Sequence, residues 1–273
     1  MKKPIALLTA AAMAFIAVCF SGCFNFFGSG SSSSSSRSEA KATPDTPDEA
    51  ETEAQDKTDE QEPLPESYKI EGFNPINQTT LKAGCETYAA TMLLQKLGFD
   101  VDEFEIADNY LIERYISYGE DGEKRGPDMH SAFAGSAYAG WGVYAPAMAK
   151  SMNNYLADQK SDLKAYAYED IPMETLIRDY IVNDVPVMVW ATTNMQEPYV
   201  FDTWVVDYVD ENAKAQIGDK VDWYMHQHCL VLMGYDKDNY YFADSTDGII
   251  SCFEKSLCEQ RYEEMGSQCI VVQ

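Results

Sequence analysis

The run Pro186-Val187-Met188-Val189-Trp190-Ala191 contains no polar side chain. Its β-branched and aromatic content marks it as a strand, and the lack of alternation marks both faces as buried. It therefore belongs at the centre of a sheet, and its neighbours decide what covers it. Upstream, Tyr88, Ala89, Met92, Leu93 and Leu97 recur at the three- and four-residue steps of one helix face, and Gly98 stands at the expected stop. Further helices are expected over 101–114, 143–157 with Pro146 in the first turn, and 172–182, with a short strand at 165–168. Downstream, residues 227–235 and 240–243 read as two strands around the turn Asp236-Lys237-Asp238-Asn239. A helix over 253–262 and a strand over 268–272 follow. The Gly-rich stretch 117–142 is expected to be a long loop, and 194–220 an irregular excursion. Helices first and strands later make an α+β chain rather than an alternating βαβ one. No internal repeat is present.

Three regions are expected. Residues 1–23 read as a targeting segment: Lys2 and Lys3, then an apolar run that is short for a membrane span. Residues 24–66 read as a tether, Ser-rich and then acidic, with too few apolar side chains to offset chain entropy. Residues 67–273 form the folded domain, which is expected to be a monomer. The formal net charge of -25 argues against a basic phosphate-binding face, so nucleic acid is not expected as a partner. Five of the seven Cys lie in the folded part (Cys85, Cys229, Cys252, Cys258 and Cys269), an odd number that leaves at least one thiol unpaired within the chain. With no CxxC and three His, a structural zinc site is not expected.

Gly84-Cys85 ends a polar segment where the first helix begins, so Cys85 sits at a helix N-terminus. Unpaired N–H groups and the helix dipole favour a negative charge there, and a thiolate is the nucleophilic form. A catalytic thiol also needs an imidazole, a group that orients it, and donors for the oxyanion. His228 opens the strand HCLVLMGYD and Asp244 closes YYFAD, so pairing of the two strands brings both to one sheet end. The amide of Gln78, seven residues before Cys85, is the candidate oxyanion donor. His226 is a rival base, placed in the loop before the strand. His130 is expected to be exposed in the Gly-rich loop, while Asp236 and Asp238 read as turn residues; Asp247 is a rival orienter, although Asp247-Gly248 reads more naturally as a turn. Trp141 is a candidate to line a cleft.

The segments INQ…GCETYAATMLLQKLG, DVPVMVWAT, HCLVLMGYD and YYFAD resemble the extracellular branch of the double-glycine (bacteriocin-processing) peptidase-like family, over about residues 70–273. The loop GPDMHSAFAG…GWGVYAPAM is similar to a segment of the same branch. The resemblance implies a papain-like fold. It also implies an oxyanion Gln78, a nucleophilic Cys85, a base His228 and an orienting Asp244, acting on a peptide or protein substrate without a cofactor or metal. The family commonly has Asn-Asp-Pro at the Asp, where this chain has Ala243-Asp244-Ser245. The end of the targeting segment, Phe20-Ser21-Gly22-Cys23, resembles the lipobox of bacterial lipoproteins, with Phe20 where Leu is usual. It implies cleavage before Cys23, a lipid on Cys23, and a chain held at the outer face of the cell membrane. Two functions follow as expectations: a surface-tethered cysteine peptidase, with amide hydrolysis or transpeptidation as variants, or a non-catalytic peptide- or wall-binding module on the same scaffold.

Overall fold

The computed structural model describes residues 63–273; the targeting segment with Cys23, and the tether up to residue 62, lie outside the described residues. The chain is engaged from the start of this region: Leu64 packs on the core and the Tyr235 hydroxyl donates to Pro65 O at 2.8 Å. Among the described residues, no helix is long and apolar enough to cross a membrane.

The architecture is mixed α+β around an antiparallel sheet. The sheet's order is Ile249–Glu254, Asn239–Asp244, Gln227–Tyr235, Val187–Thr192, Cys269–Val272, Ala165–Tyr168, and Tyr68–Lys69 adds to the far end of Gln227–Tyr235. Every residue of Val187–Thr192 is buried, as its unbroken apolar run requires. Helix Cys85–Lys96 packs across the Gln227–Tyr235 strand. Ala145–Asp158 begins, as its Pro146 permits, with Pro in the first turn, and it lies against Ala165–Tyr168. Trp190, fully buried, ties the layers by donating its indole N–H to Val143 O at 2.9 Å.

Several expected elements differ. The helix expected over 101–114 contracts to Glu103–Glu105 and a π turn at Ile106–Tyr110, because the chain then enters a strand at Glu113–Arg114. The Gly-rich stretch 117–142 is a set of short strands rather than a loop: Ser117–Tyr118, Lys124–Pro127, Phe133–Ser136 and Ala139–Gly142. Its glycines permit close backbone approach, and a Cβ on Gly135 would lie 2.6 Å from the Gly140 Cα. Residues 194–220 hold a ten-residue strand, Tyr199–Tyr208, whose β-branched and aromatic content was the overlooked signal. It pairs with Lys220–Met225 and Lys124–Pro127 in a second sheet, which ends at Ser117–Tyr118. Ile249–Glu254 is a further strand that the expected helix start at 253 obscured.

Candidate functional site

Helix Cys85–Lys96 starts on the thiol. Its N-cap, Gly84, has no side chain to spare: a Cβ there would meet Thr87 Oγ1 at 2.8 Å and Leu81 Cβ at 2.9 Å. The Gln227–Tyr235 strand delivers His228 alongside. Its register pairs His228 with Ala191 on one side, and on the other runs from Tyr235–Tyr240 to Val231–Ala243 through a one-residue shift near Met233. That register carries His228 to the end of the sheet where Asp244 leaves its strand. His228 Nε2 lies 2.9 Å from Asp244 Oδ1, and both side chains are buried. Asp244 Oδ1 also accepts the Thr246 N–H at 2.8 Å, and Oδ2 accepts the Ser251 hydroxyl at 2.9 Å. The Thr246 hydroxyl is 3.1 Å from the same His228 Nε2. With Nε2 committed to this side, Nδ1 is the ring nitrogen left for other chemistry. Burial pushes the Asp244 carboxyl up, but the bond and charge of His228 and the Thr246 donors outweigh it and bring it to about 2.

Cys85, His228 and Gln78 line one cleft of about 360 Å³, together with Trp141, Trp223 and Gln227. Gln78 is anchored beside the Asp244 turn. Its N–H donates to Ser245 O at 2.8 Å, and its Oε1 accepts the Ser245 hydroxyl at 3.1 Å. Ser245, which departs from the Pro of the family pattern, thus supplies a donor that Pro lacks. The amide NH₂ of Gln78 donates to Leu81 O at 2.9 Å and Lys82 O at 3.2 Å. An oxyanion in the cleft would compete with those carbonyls for its hydrogens.

The electrostatics at the thiol depart from expectation. A helix N-terminus predicts an easily lost proton, yet Cys85 is raised well above the ordinary thiol range. Burial is the main cause, the Glu86 carboxylate adds to it, and N–H groups of Cys229 and Glu86 oppose it. The Cys85 S–H donates to Glu86 Oε2 at 3.3 Å, and Glu86 Oε1 accepts the Val143 N–H at 3.1 Å. Glu86 is fully buried, and burial pushes its carboxyl up against the pull of the Val143 N–H, its own N–H, the thiol and the His228 charge. Sequence reasoning missed Glu86. The signal was available: it opens the same helix face as Ala89, Ala90 and Leu93, an acid at the head of an apolar stripe.

The rival residues fall elsewhere. His226 is a left-handed turn residue between Lys220–Met225 and Gln227–Tyr235, with its ring against Tyr199. His130 is not exposed as expected: its Nδ1 is 2.9 Å from Asp128 Oδ1, its Nε2 is 3.4 Å from Glu169, and its ring lies on Tyr144. Asp236 and Asp247 lie in turns, as their neighbours suggested. Trp141 lines the cleft, its indole donating to Asp202 at 2.7 Å and its carbonyl accepting from Trp223 at 2.8 Å. Gln227 was also missed. Its side-chain amide is buried in the cleft wall with neither polar atom hydrogen-bonded to protein. Cys85, Cys229, Cys252, Cys258 and Cys269 are all free thiols. Among the described residues, no group of three or more His, Cys, Asp or Glu side chains is arranged to hold a metal ion.

A family model described as Peptidase C39 like matches residues 70–270. The uncharacterised Bacillus subtilis (strain 168) protein YvpB is 24% identical over 204 residues, covering 74% of this chain and 73% of YvpB. A solved Bacillus anthracis structure, named a candidate C39-like peptidase, has 25% identity and a TM-score of 0.62, covering 77% of this chain and 98% of that one.

Proposed function

The chain belongs to the Peptidase C39-like family, and from that premise we propose that it is a cysteine peptidase that hydrolyses peptide or amide bonds. Cys85 is the nucleophile, His228 the base and acid, Asp244 its orienter and Gln78 an oxyanion donor. The observation that carries the reading is the single cleft shared by Cys85, His228 and Gln78, with Asp244 bonded to the imidazole behind it. In the first half-reaction, His228 Nδ1 takes the thiol proton and sulfur attacks the substrate carbonyl. The oxyanion meets the Gln78 amide and the N–H at the helix start, and the imidazolium returns its proton to the leaving amine. Water, deprotonated by His228, then releases the acid from the thioester and restores the thiol. The substrate is a peptide or protein. We place the domain outside the cytoplasm, on a tether held at the membrane by a lipid on Cys23.

A mixture of proteome-derived peptides incubated with the full chain, followed by mass spectrometry of new termini, tests this. Cleavage that disappears in Cys85→Ser and in His228→Ala supports the reading. Products that persist in both variants overturn it. A second reading, peptide binding without turnover, draws on the thiol's bond to Glu86 rather than to His228. It is the result if peptides are retained uncut.

A further inference from the structure

Glu86 brings a negative charge to a place where a cysteine nucleophile benefits from positive potential. The pair is built, not incidental. The carboxyl is fully buried, and one oxygen takes the S–H of Cys85 while the other takes the Val143 N–H. Gly142, at φ 148°, closes the site: a Cβ there would lie 2.9 Å from Glu86 Oε1 and 2.9 Å from Gln227 Nε2. Trp190 holds the carbonyl of the same Val143 whose N–H holds Glu86.

We propose that Glu86 is a positioning residue that holds the resting Cys85 as a neutral thiol, so that the nucleophile stays latent until its proton is turned toward His228. This rests on the reading of Cys85 as nucleophile and His228 as base. With Glu86 ionised, a thiolate beside it would put a second negative charge, on the half-buried Cys85 at the cleft wall, against a fully buried carboxylate. An ordinary thiol holds its proton about four pH units above an ordinary carboxyl, so the proton stays on sulfur. The other groups facing the pair do not reverse this. Thr87, on the same helix, donates its hydroxyl to Gly84 O. Cys229 and Tyr144, from the adjoining strand and helix start, are neutral acids held in that form by burial above all, with the Glu86 charge adding to it. Lys82 sits on the cleft wall. The positive forms of Lys82 and His228 both favour an anion there, and that of His228 acts on Glu86.

Activation is then a rotation of one side chain. The S–H leaves Glu86 Oε2 and turns to His228 Nδ1; the S–H bond breaks, an N–H bond forms, and sulfur keeps the electron pair. Glu86 remains a carboxylate and faces the new imidazolium.

The test is alkylation of Cys85 by iodoacetamide in the full chain across pH, read by peptide mass spectrometry. Glu86→Gln keeps an oxygen for the Val143 N–H and removes the charge. The profile is expected to move to lower pH. A thiolate population raised about a hundredfold, with intrinsic nucleophilicity lowered about tenfold, gives a net gain of about tenfold at neutral pH. A variant profile that coincides with wild type, or a slower neutral rate, overturns the proposal. If Glu86→Gln does not fold, the wild-type profile decides. A midpoint above the ordinary thiol value of about 8.5 supports latency, and a reactive plateau extending into acid overturns it. Adding His228→Ala to Glu86→Gln separates the two readings. A rate unchanged by the second substitution removes His228 as base and leaves the Glu86 effect standing.

Discussion

His228 Nε2 and Asp244 Oδ1 meet at 2.9 Å at the end of the central sheet, with both side chains buried. The bond uses the imidazole nitrogen on the sheet side and leaves Nδ1 for the cleft. Asp244→Asn keeps the shape of the contact but removes the charge that favours imidazolium. Turnover of a cleaved library peptide is expected to fall roughly 10²–10⁴-fold. A loss under threefold would show that Asp244 does not orient the base.

The same carboxyl links stability to acid. Its folded-state value, about 2, lies below its unfolded one. The stabilisation is therefore complete above the unfolded value of about 3.9 and is lost as pH falls toward 2. It amounts to about 2 kcal/mol. Urea unfolding at pH 6 and pH 2.5 checks this: Asp244→Asn should be the less stable at pH 6, and the gap should narrow at pH 2.5.

Gln78 and Ser245 form one unit through two hydrogen bonds. Gln78→Ala is expected to lower kcat by about 10²-fold with KM little changed, as for loss of one oxyanion donor. Ser245→Ala removes only the hydroxyl and leaves the backbone bond, so its loss should be smaller. Equal losses in the two variants would mean that Gln78 acts through the turn rather than on the substrate.

Gly142→Ala combines a left-handed backbone with a methyl group 2.9 Å from Glu86 Oε1 and Gln227 Nε2. It should destabilise the domain by about 1–3 kcal/mol, measured by urea midpoint. The alkylation profile of Cys85 should shift with it, since Glu86 must move. A stable variant with an unchanged profile would contradict this packing.

Trp190→Phe removes the indole N–H bonded to Val143 O and leaves a void at the centre of the sheet. A cost of about 2–3 kcal/mol is expected in chemical denaturation. A change below 0.5 kcal/mol, on the order of a surface substitution, would show that the bond contributes little.

Legibility from sequence followed local pattern. The thiol helix, the Pro146 helix, the all-buried Val187–Thr192 strand and the hairpin around Asp236 were each written in periodicity and turn residues. The ten-residue Tyr199–Tyr208 strand was not read despite its β-branched and aromatic content: one partner, Lys124–Pro127, lies far upstream, and the other, Lys220–Met225, follows only after an irregular turn segment. The Gly-rich 117–142 stretch was misread for the same reason: glycine marks both loops and close strand contacts, and only the partner distinguishes them.

At the site, sequence marked the residues proposed to carry the chemistry. A thiol at a helix start, a His opening a strand and an Asp closing the next are set by local propensity and a short turn, and their encounter follows from hairpin register. Tertiary structure decided the state of the thiol. The helix N-terminus alone predicts an acidic Cys85. The folded chain buries Glu86 against it, under Val143 and Gly142, which stand more than 50 residues away in sequence. Burial makes a second negative charge costly, so the proton stays on sulfur. Desolvation of that kind comes from packing and has no signature in local sequence.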